Sequence, residues 1–117
     1  MKLTIQQALE QASKALSENK FIEAEKIYRS ILQTQPDNLD ANNNLGIILH
    51  NNKDYSEAIN HFKKTISIDS NFFLAYSNLG LSLKSLGKFE EAKKIYIQAI
   101  NIEPNYRIQI PENFLTQ

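Results

Sequence analysis

Residues 43–46 read Asn43-Asn44-Leu45-Gly46, and one period of 34 residues later residues 77–80 read Ser77-Asn78-Leu79-Gly80. Outward from these quartets the same spacing returns throughout the chain. Small residues recur at Ala12, Gly46 and Gly80 and again at Ala24, Ala58 and Ala92. Aromatic residues recur at Phe21, Tyr55 and Phe89, then at Tyr28, Phe62 and Tyr96. Small side chains at a fixed register mark places where two helices approach closely, and the aromatic rows are large enough to fill the space they leave. The chain divides into units 5–38, 39–72 and 73–106, followed by a tail, 107–117. A period of this length is the signature of a stacked helical array, whose units bury their apolar faces against each other and whose function lies along an extended surface.

Within a unit the apolar spacing is helical. Leu45, Ile48, Leu49 and Asn52 run i, i+3, i+4, i+7, and Tyr55, Ala58, Ile59, Phe62 and Ile66 continue with similar steps. Breakers close the units at Pro36-Asp37-Asn38, Ser70-Asn71 and Pro104-Asn105, because proline lacks an amide and disfavours helix in the residue before it. Shorter links, Asn19-Lys20, Asn52-Lys53-Asp54 and Gly87-Lys88, divide each unit in two. Gly and Asn there can take the left-handed conformation that ends a helix, and Asp54 can cap the next one. The spacing predicts helices over 4–18, 21–34, 39–52, 55–68, 73–86 and 89–102.

The period of 34, small residues at the eighth and twentieth positions, an aromatic at the twenty-fourth and proline near the thirty-second resemble the tetratricopeptide repeat (TPR) family across 5–106. The resemblance implies an all-α fold, a right-handed α-solenoid of three helix-turn-helix hairpins forming one domain over 1–117. The chain departs from the family pattern at Ile31 and Thr65, where alanine is usual, at Asn42, where a bulky apolar residue is usual, and at Ser70, where proline is usual.

Composition narrows the function. The 117 residues carry 13 basic and 13 acidic side chains, and no unit departs from neutrality by more than one charge. Nucleic acid binding needs clustered Lys and Arg, whereas Lys88, Lys93 and Lys94 are interleaved with Glu90 and Glu91, as on a solvated helix face. No window approaches the ~18 apolar residues of a membrane span, and Met1-Lys2-Leu3 leads directly into an amphipathic helix, so a cytoplasmic chain without membrane contact is expected. With no cysteine there is neither a disulfide nor a thiolate metal site. The three glycines sit at packing or turn positions and form no phosphate loop. Glu57 and His61 lie one turn apart, but a metal site needs three or four ligands, so His61, at the register of Ile27 and Ile95, reads as a half-buried packing residue. His50 reads as a dipole partner at a helix C-terminus. No catalytic group, cofactor or metal is expected. An AT-rich, bacterial source fits the abundance of Asn, Ile and Lys.

In the family the first helix of each hairpin lines the concave surface. The resemblance therefore assigns inner positions to Asp40, Asn43, Asn44, Ile47, His50 and Asn51 in the second unit, and to Leu74, Ser77, Asn78, Leu81, Lys84 and Ser85 in the third. The first unit offers Gln6, Leu9, Glu10, Ser13 and Ser17. Asn44 and Asn78, one repeat apart, would form a ladder. A side-chain amide donates and accepts, so it can satisfy a peptide unit whatever side chain the peptide carries. Helices about 9–10 Å apart and a strand rising about 3.3 Å per residue would bring a rung to roughly every third residue of an extended chain. This is similar to the asparagine ladder of O-linked N-acetylglucosamine transferases, broken in the first unit by Glu10. Solvated asparagines are the competing reading, and Ile47 and Leu81 beside the rungs favour a groove. The family's carboxylate-gripping positions correspond to Leu9, Ser13, Asn44, Leu74 and Asn78, of which only Asn44 matches, so nothing there would repay desolvation of a carboxylate.

The first helix has a thin apolar stripe, Ala8, Ala12 and Ala15, as suits the start of an array. The last carries Ile95, Ala99, Ile100 and Ile102, which would ordinarily meet another helix, while Ile108, Ile110, Phe114 and Leu115 could fold back as a lid. Three readings stay open: a scaffold binding a protein or peptide in its groove, a recruiting module of a larger bacterial transferase, and a homodimer formed through the C-terminal end.

Overall fold

The computed structural model describes residues 2–110. Among them are six α-helices in chain order: α1 (Ile5–Ser17), α2 (Phe21–Thr34), α3 (Leu39–Asn51), α4 (Tyr55–Ile68), α5 (Phe73–Ser85) and α6 (Phe89–Ile102), followed by a 3-10 segment, Pro104–Gln109. The expected ranges hold to within a residue, and those of α2, α4 and α6 coincide with it. Each hairpin packs its two helices together, α2 packs on α3 and α4 on α5, and the stack is 54 × 25 × 22 Å.

The links are three copies of one device. Asn19, Lys53 and Gly87, 34 residues apart, have φ of 61°, 69° and 80°. Their amides donate to Leu16, His50 and Lys84, three residues back, and the next amides donate to Ala15, Leu49 and Leu83 at 2.8, 2.8 and 2.9 Å. This is the Schellman closure, which satisfies the last carbonyls of one helix while the chain reverses. It also corrects one expectation. Asp54 occupies the N-cap of α4, but its side chain makes no capping bond. Its backbone amide is held by Leu49, and its ψ of 62° lies outside the extended region from which a cap reaches the next turn. Two helix starts are capped conventionally: Thr4 and Gln7 form a reciprocal capping box before α1, and Asn38 Oδ1 accepts from the Ala41 amide at 2.9 Å, whereas Phe72 before α5 makes no side-chain cap.

Glycine at 46 and 80 is required by aromatic rings. A Cβ on Gly46 would lie 2.6 Å from Cε1 of Phe62, and one on Gly80 2.6 Å from Cε1 of Tyr96. Tyr28, Phe62 and Tyr96 are all buried, the last two directly over these glycines. The other aromatic row does not fill the core as expected: Phe21 and Phe89 are 45% and 56% exposed. Tyr55 is half-buried, with its ring edge on His50 at 5.1 Å.

Position four of the second and third units accounts for one departure from the family pattern, Asn42. Asn42, 2% exposed, donates through Nδ2 to the carbonyls of Pro36 (3.0 Å) and Asn38 (2.9 Å). One repeat on, the Tyr76 hydroxyl donates to the Ser70 carbonyl at 2.8 Å. Both residues tie down the connection from the preceding hairpin, so polar atoms at this buried register are satisfied. Thr65, fully buried, donates to the His61 carbonyl at 2.9 Å.

Between repeats, second helices are bridged by long charged side chains. Arg29 grips Glu57 through both terminal nitrogens, at 2.9 and 3.3 Å, and Lys63 reaches Glu91 at 3.4 Å, each pair displaced by one repeat. Two of the first helices also meet: α3 packs directly on α5, and His50 Nδ1 lies 2.8 Å from Ser82 Oγ.

The 3-10 segment packs on α6. Tyr106 is buried, edge-on to Phe73 (centroids 4.8 Å) and tilted against Tyr96 (6.3 Å), and Ile110 is also buried. Of the four apolar residues expected to fold back, Ile110 is buried, and the side chain of Ile108 is not among those described. Phe114 and Leu115 lie outside the described residues.

Candidate functional site

The α-helical period places Asn44 and Asn78 at equivalent points on α3 and α5, and both are half-buried. Asn44 Nδ2 donates to the Tyr28 hydroxyl of α2 at 3.1 Å. The Asn78 side chain makes no hydrogen bond among the described residues. The residue sixteen before Asn44 is Tyr28, and the residue sixteen before Asn78 is Phe62, which has no hydroxyl. Burial pushes the Tyr28 phenol up, the bond from Asn44 opposes that, and Asp40 reinforces it.

Leu74 and Leu81, at 55% and 43%, are exposed aliphatics on α5, and Ile47 on α3 is half-buried. Exposed leucines on a helix that packs on both sides are apolar surface left available to a partner. Asp40 is exposed at the start of α3. Two expected groove residues are less accessible. Ser77 donates its hydroxyl to Tyr106 at 2.8 Å. Asn43 is 5% exposed, and its Oδ1 is buried with no partner. The residue at Tyr106's register one repeat earlier is Phe72, which offers no hydroxyl, so the bond that satisfies Ser77 has no counterpart at Asn43.

His50 sits between α3 and α5, and burial holds its imidazole below the ordinary value of 6.5. His61 is half-buried as expected and also enters a network that the sequence did not reveal. Asn42 Nδ2 commits both hydrogens to carbonyls, so its Oδ1 accepts from His61 Nδ1 at 3.1 Å, which assigns the proton to Nδ1. Nε2 then faces Glu57 at 3.6 Å. Burial is the largest influence on His61 and lowers it, against the pull of Glu57, so this pair is not an ion pair at neutral pH. The hydrogen bond from Arg29 holds Glu57 below the usual carboxylate range. Among the described residues no three His, Cys, Asp or Glu side chains converge on a metal position, and no helix is long and apolar enough to cross a membrane.

A cleft of about 540 Å³ opens between α1 and α2, lined by Leu3, Ile5, Ala8, Ile27 and Ile31. It does not include the asparagine rungs. One repeat on, the corresponding residues Asn42 and His61 are flanked by Leu32 and Pro36 of the preceding hairpin. The cleft thus lies at the register that Leu32 and Pro36 of the first hairpin flank one repeat on.

Known proteins share this architecture. The chain is 30% identical over 91 residues to a probable UDP-N-acetylglucosamine–peptide N-acetylglucosaminyltransferase SPINDLY of Petunia hybrida, covering 78% of this chain and 10% of that protein. It is 30% identical over 93 residues to the small glutamine-rich tetratricopeptide repeat-containing protein 2 of Saccharomyces cerevisiae, covering 80% and 27%. It therefore spans a small part of these curated relatives. Among solved structures, the first TPR of Spaghetti (RPAP3) bound to the HSP90 peptide SRMEEVD superposes with a TM-score of 0.80 at 27% identity, covering 88% of this chain and 84% of that one. The Thermobaculum terrenum O-GlcNAc transferase superposes at 0.82 and 24% identity, over 91% and 21%, and shows the fold alone. The profile of the tetratricopeptide repeat matches residues 39–72 and 73–106, more than half the chain. With three stacked hairpins in that register, the chain belongs to the tetratricopeptide repeat family.

Proposed function

We propose that this chain is a non-catalytic protein–protein interaction module that takes an extended peptide along α3 and α5. Asn44 and Asn78 are the rungs, Ile47, Leu74 and Leu81 the apolar contacts, and Asp40, Asn43 and Ser77 border the track. The observation that carries this reading is the juxtaposition of half-buried amides, one of them without a partner, with leucines left exposed on the same inner helix. Backbone recognition by amides combined with shallow apolar contacts suits an extended strand-like ligand. The similar RPAP3 module is bound to an acidic HSP90 peptide. Here the carboxylate-gripping positions hold Leu9, Ser13 and Leu74, which favours an internal segment over a free acidic C-terminus. Asn44→Ala with Asn78→Ala is expected to weaken a groove-selected peptide about tenfold or more, two hydrogen bonds being lost at roughly 0.5–1.5 kcal/mol each. Helicity should be unchanged. Unaltered affinity in calorimetric titration would sink the ladder.

The identity to SPINDLY proteins favours a second setting for the same groove, as the recruiting module of a peptide-modifying transferase. Sequencing the gene beyond Gln117 tests this: a transferase domain in frame supports it, and an unrelated domain or a stop codon overturns it.

A further inference from the structure

We propose that the cleft between α1 and α2 is a second docking site, separate from the groove, for the last turns of a partner helix. That helix carries a basic residue, an aliphatic residue, a proline and an acid at the spacing of Arg29, Leu32, Pro36 and Asp37. The chain holds its own copy of such a contact. In the second hairpin the register of Ala8 and Ile27 falls on Asn42 and His61. Leu32, near the end of α2, and Pro36, just beyond it, lie beside these two residues, with the Pro36 carbonyl 3.0 Å from Asn42 Nδ2. Ion pairs frame the contact. Arg29, three residues before Leu32, holds Glu57 at 2.9 and 3.3 Å, and Asp37, directly after Pro36, meets Lys64 at 2.7 Å. At the next junction Lys63, three residues before Ile66, repeats the first pair with Glu91 at 3.4 Å.

The first hairpin presents the receiving half of this pattern. Glu23 is exposed at the register of Glu57 and Glu91. Lys2 and Lys26 line the cleft together with Ile5 and Ile27, and no carboxylate is among its described lining residues. The register of Lys64 falls on Ser30, also in the lining, and Lys26 stands one turn before it. The cleft of about 540 Å³ takes the aliphatic and proline side chains, whose burial supplies the affinity. Glu23 meets the basic residue, and Lys2 and Lys26 meet the acid, which fixes the direction of the helix and discriminates among partners. A second copy of this chain presents the wrong charges. Its corresponding residues are Ile97, Ile100, Pro104 and Asn105, an isoleucine in place of the cation and an amide in place of the acid. The partner is therefore a different helix, basic before its aliphatic residue and acidic after its proline.

The probe is a fluorescent alanine-based peptide of about 16 residues, long enough to hold a helix, with arginine, leucine, proline and aspartate at this spacing. Titrated with the unmodified 117-residue chain, it is expected to bind saturably and to shift the NMR methyl signals of Ile5 and Ile27 but not those of Leu74 and Leu81. Replacing its arginine by glutamate should weaken binding about threefold or more, and Glu23→Lys should restore it. Replacing its aspartate by lysine should weaken binding by a similar factor, and Lys26→Glu should recover part of the loss. Glu23 and Lys26 are exposed, so both variants keep the fold, which circular dichroism checks. No saturation by about 1 mM peptide, equal affinity for the charge-reversed peptides, or failure of the Glu23→Lys rescue overturns the site. Methyl shifts centred on Leu74 and Leu81 overturn it too, by assigning the peptide to the groove. A dimer in light scattering whose formation shifts Ile5 and Ile27 would make the occupant a second copy and overturn the charged partner.

Discussion

At the residue scale, the identity of one atom decides what a repeated position does. Gly46 and Gly80 are glycine because an aromatic ring occupies the place of a Cβ. We expect Gly46→Ala to destabilise the array by about 1–2 kcal/mol, overpacking outweighing the helix propensity gained. Pairing it with Phe62→Leu should cost less than the sum of the two changes in urea unfolding, because removing the ring removes the clash. The two histidines make stability depend on pH. Both are held below 6.5 by burial, so the unfolded chain binds protons more readily than the folded one. Their contribution is fully present above about pH 6.5 and is lost as pH falls through their lower folded values. The facing groups are Ser82 and Tyr55 for His50, and Asn42, Glu57 and Arg29 for His61. Thermal melts should fall in midpoint from pH 7.5 to 5.5, and His50→Gln with His61→Gln should flatten that slope.

At the element scale, helix spacing was legible and the means of joining helices was only half so. Asparagine and glycine in the links pointed to left-handed residues, and Asn19 and Gly87 take that conformation. The second link uses Lys53, whose side chain gives no such signal; its φ of 69° is set by the two Schellman bonds around it. A non-glycine residue there carries a steric cost, so Lys53→Gly should raise stability by about 0.5–1 kcal/mol in denaturant titration. Gly87→Ala should lower it by a similar amount. Asp54 read as a cap from its type alone, and the tertiary link overrode that preference by claiming its backbone.

At the scale of the whole molecule, the inter-repeat charge pairs bear on self-association. Arg29 with Glu57 and Lys63 with Glu91 cross successive junctions at one register. The residue at that register in the third unit is Ile97, and the acidic position in the first is Glu23, so copies stacked end to end would set an isoleucine against a carboxylate. The 3-10 segment with Tyr106 also covers part of α6. Light scattering of the 117-residue chain should report a monomer at high micromolar concentration; a concentration-dependent dimer would show that the C-terminal end is an interface. The sequence by itself determined the period, the six helices, the small and aromatic rows and the register of Asn44 with Asn78, because these follow from local spacing repeated at a constant interval. Only the tertiary structure decided which polar atoms are engaged. Asn42 is consumed by the preceding connection and His61 by Asn42, Ser77 is taken by Tyr106, Asn43 is buried, and Asn44 is tethered to Tyr28 while Asn78 is not. A hydrogen bond depends on which groups from distant parts of the chain meet within about 3 Å, and no periodicity along the chain specifies that.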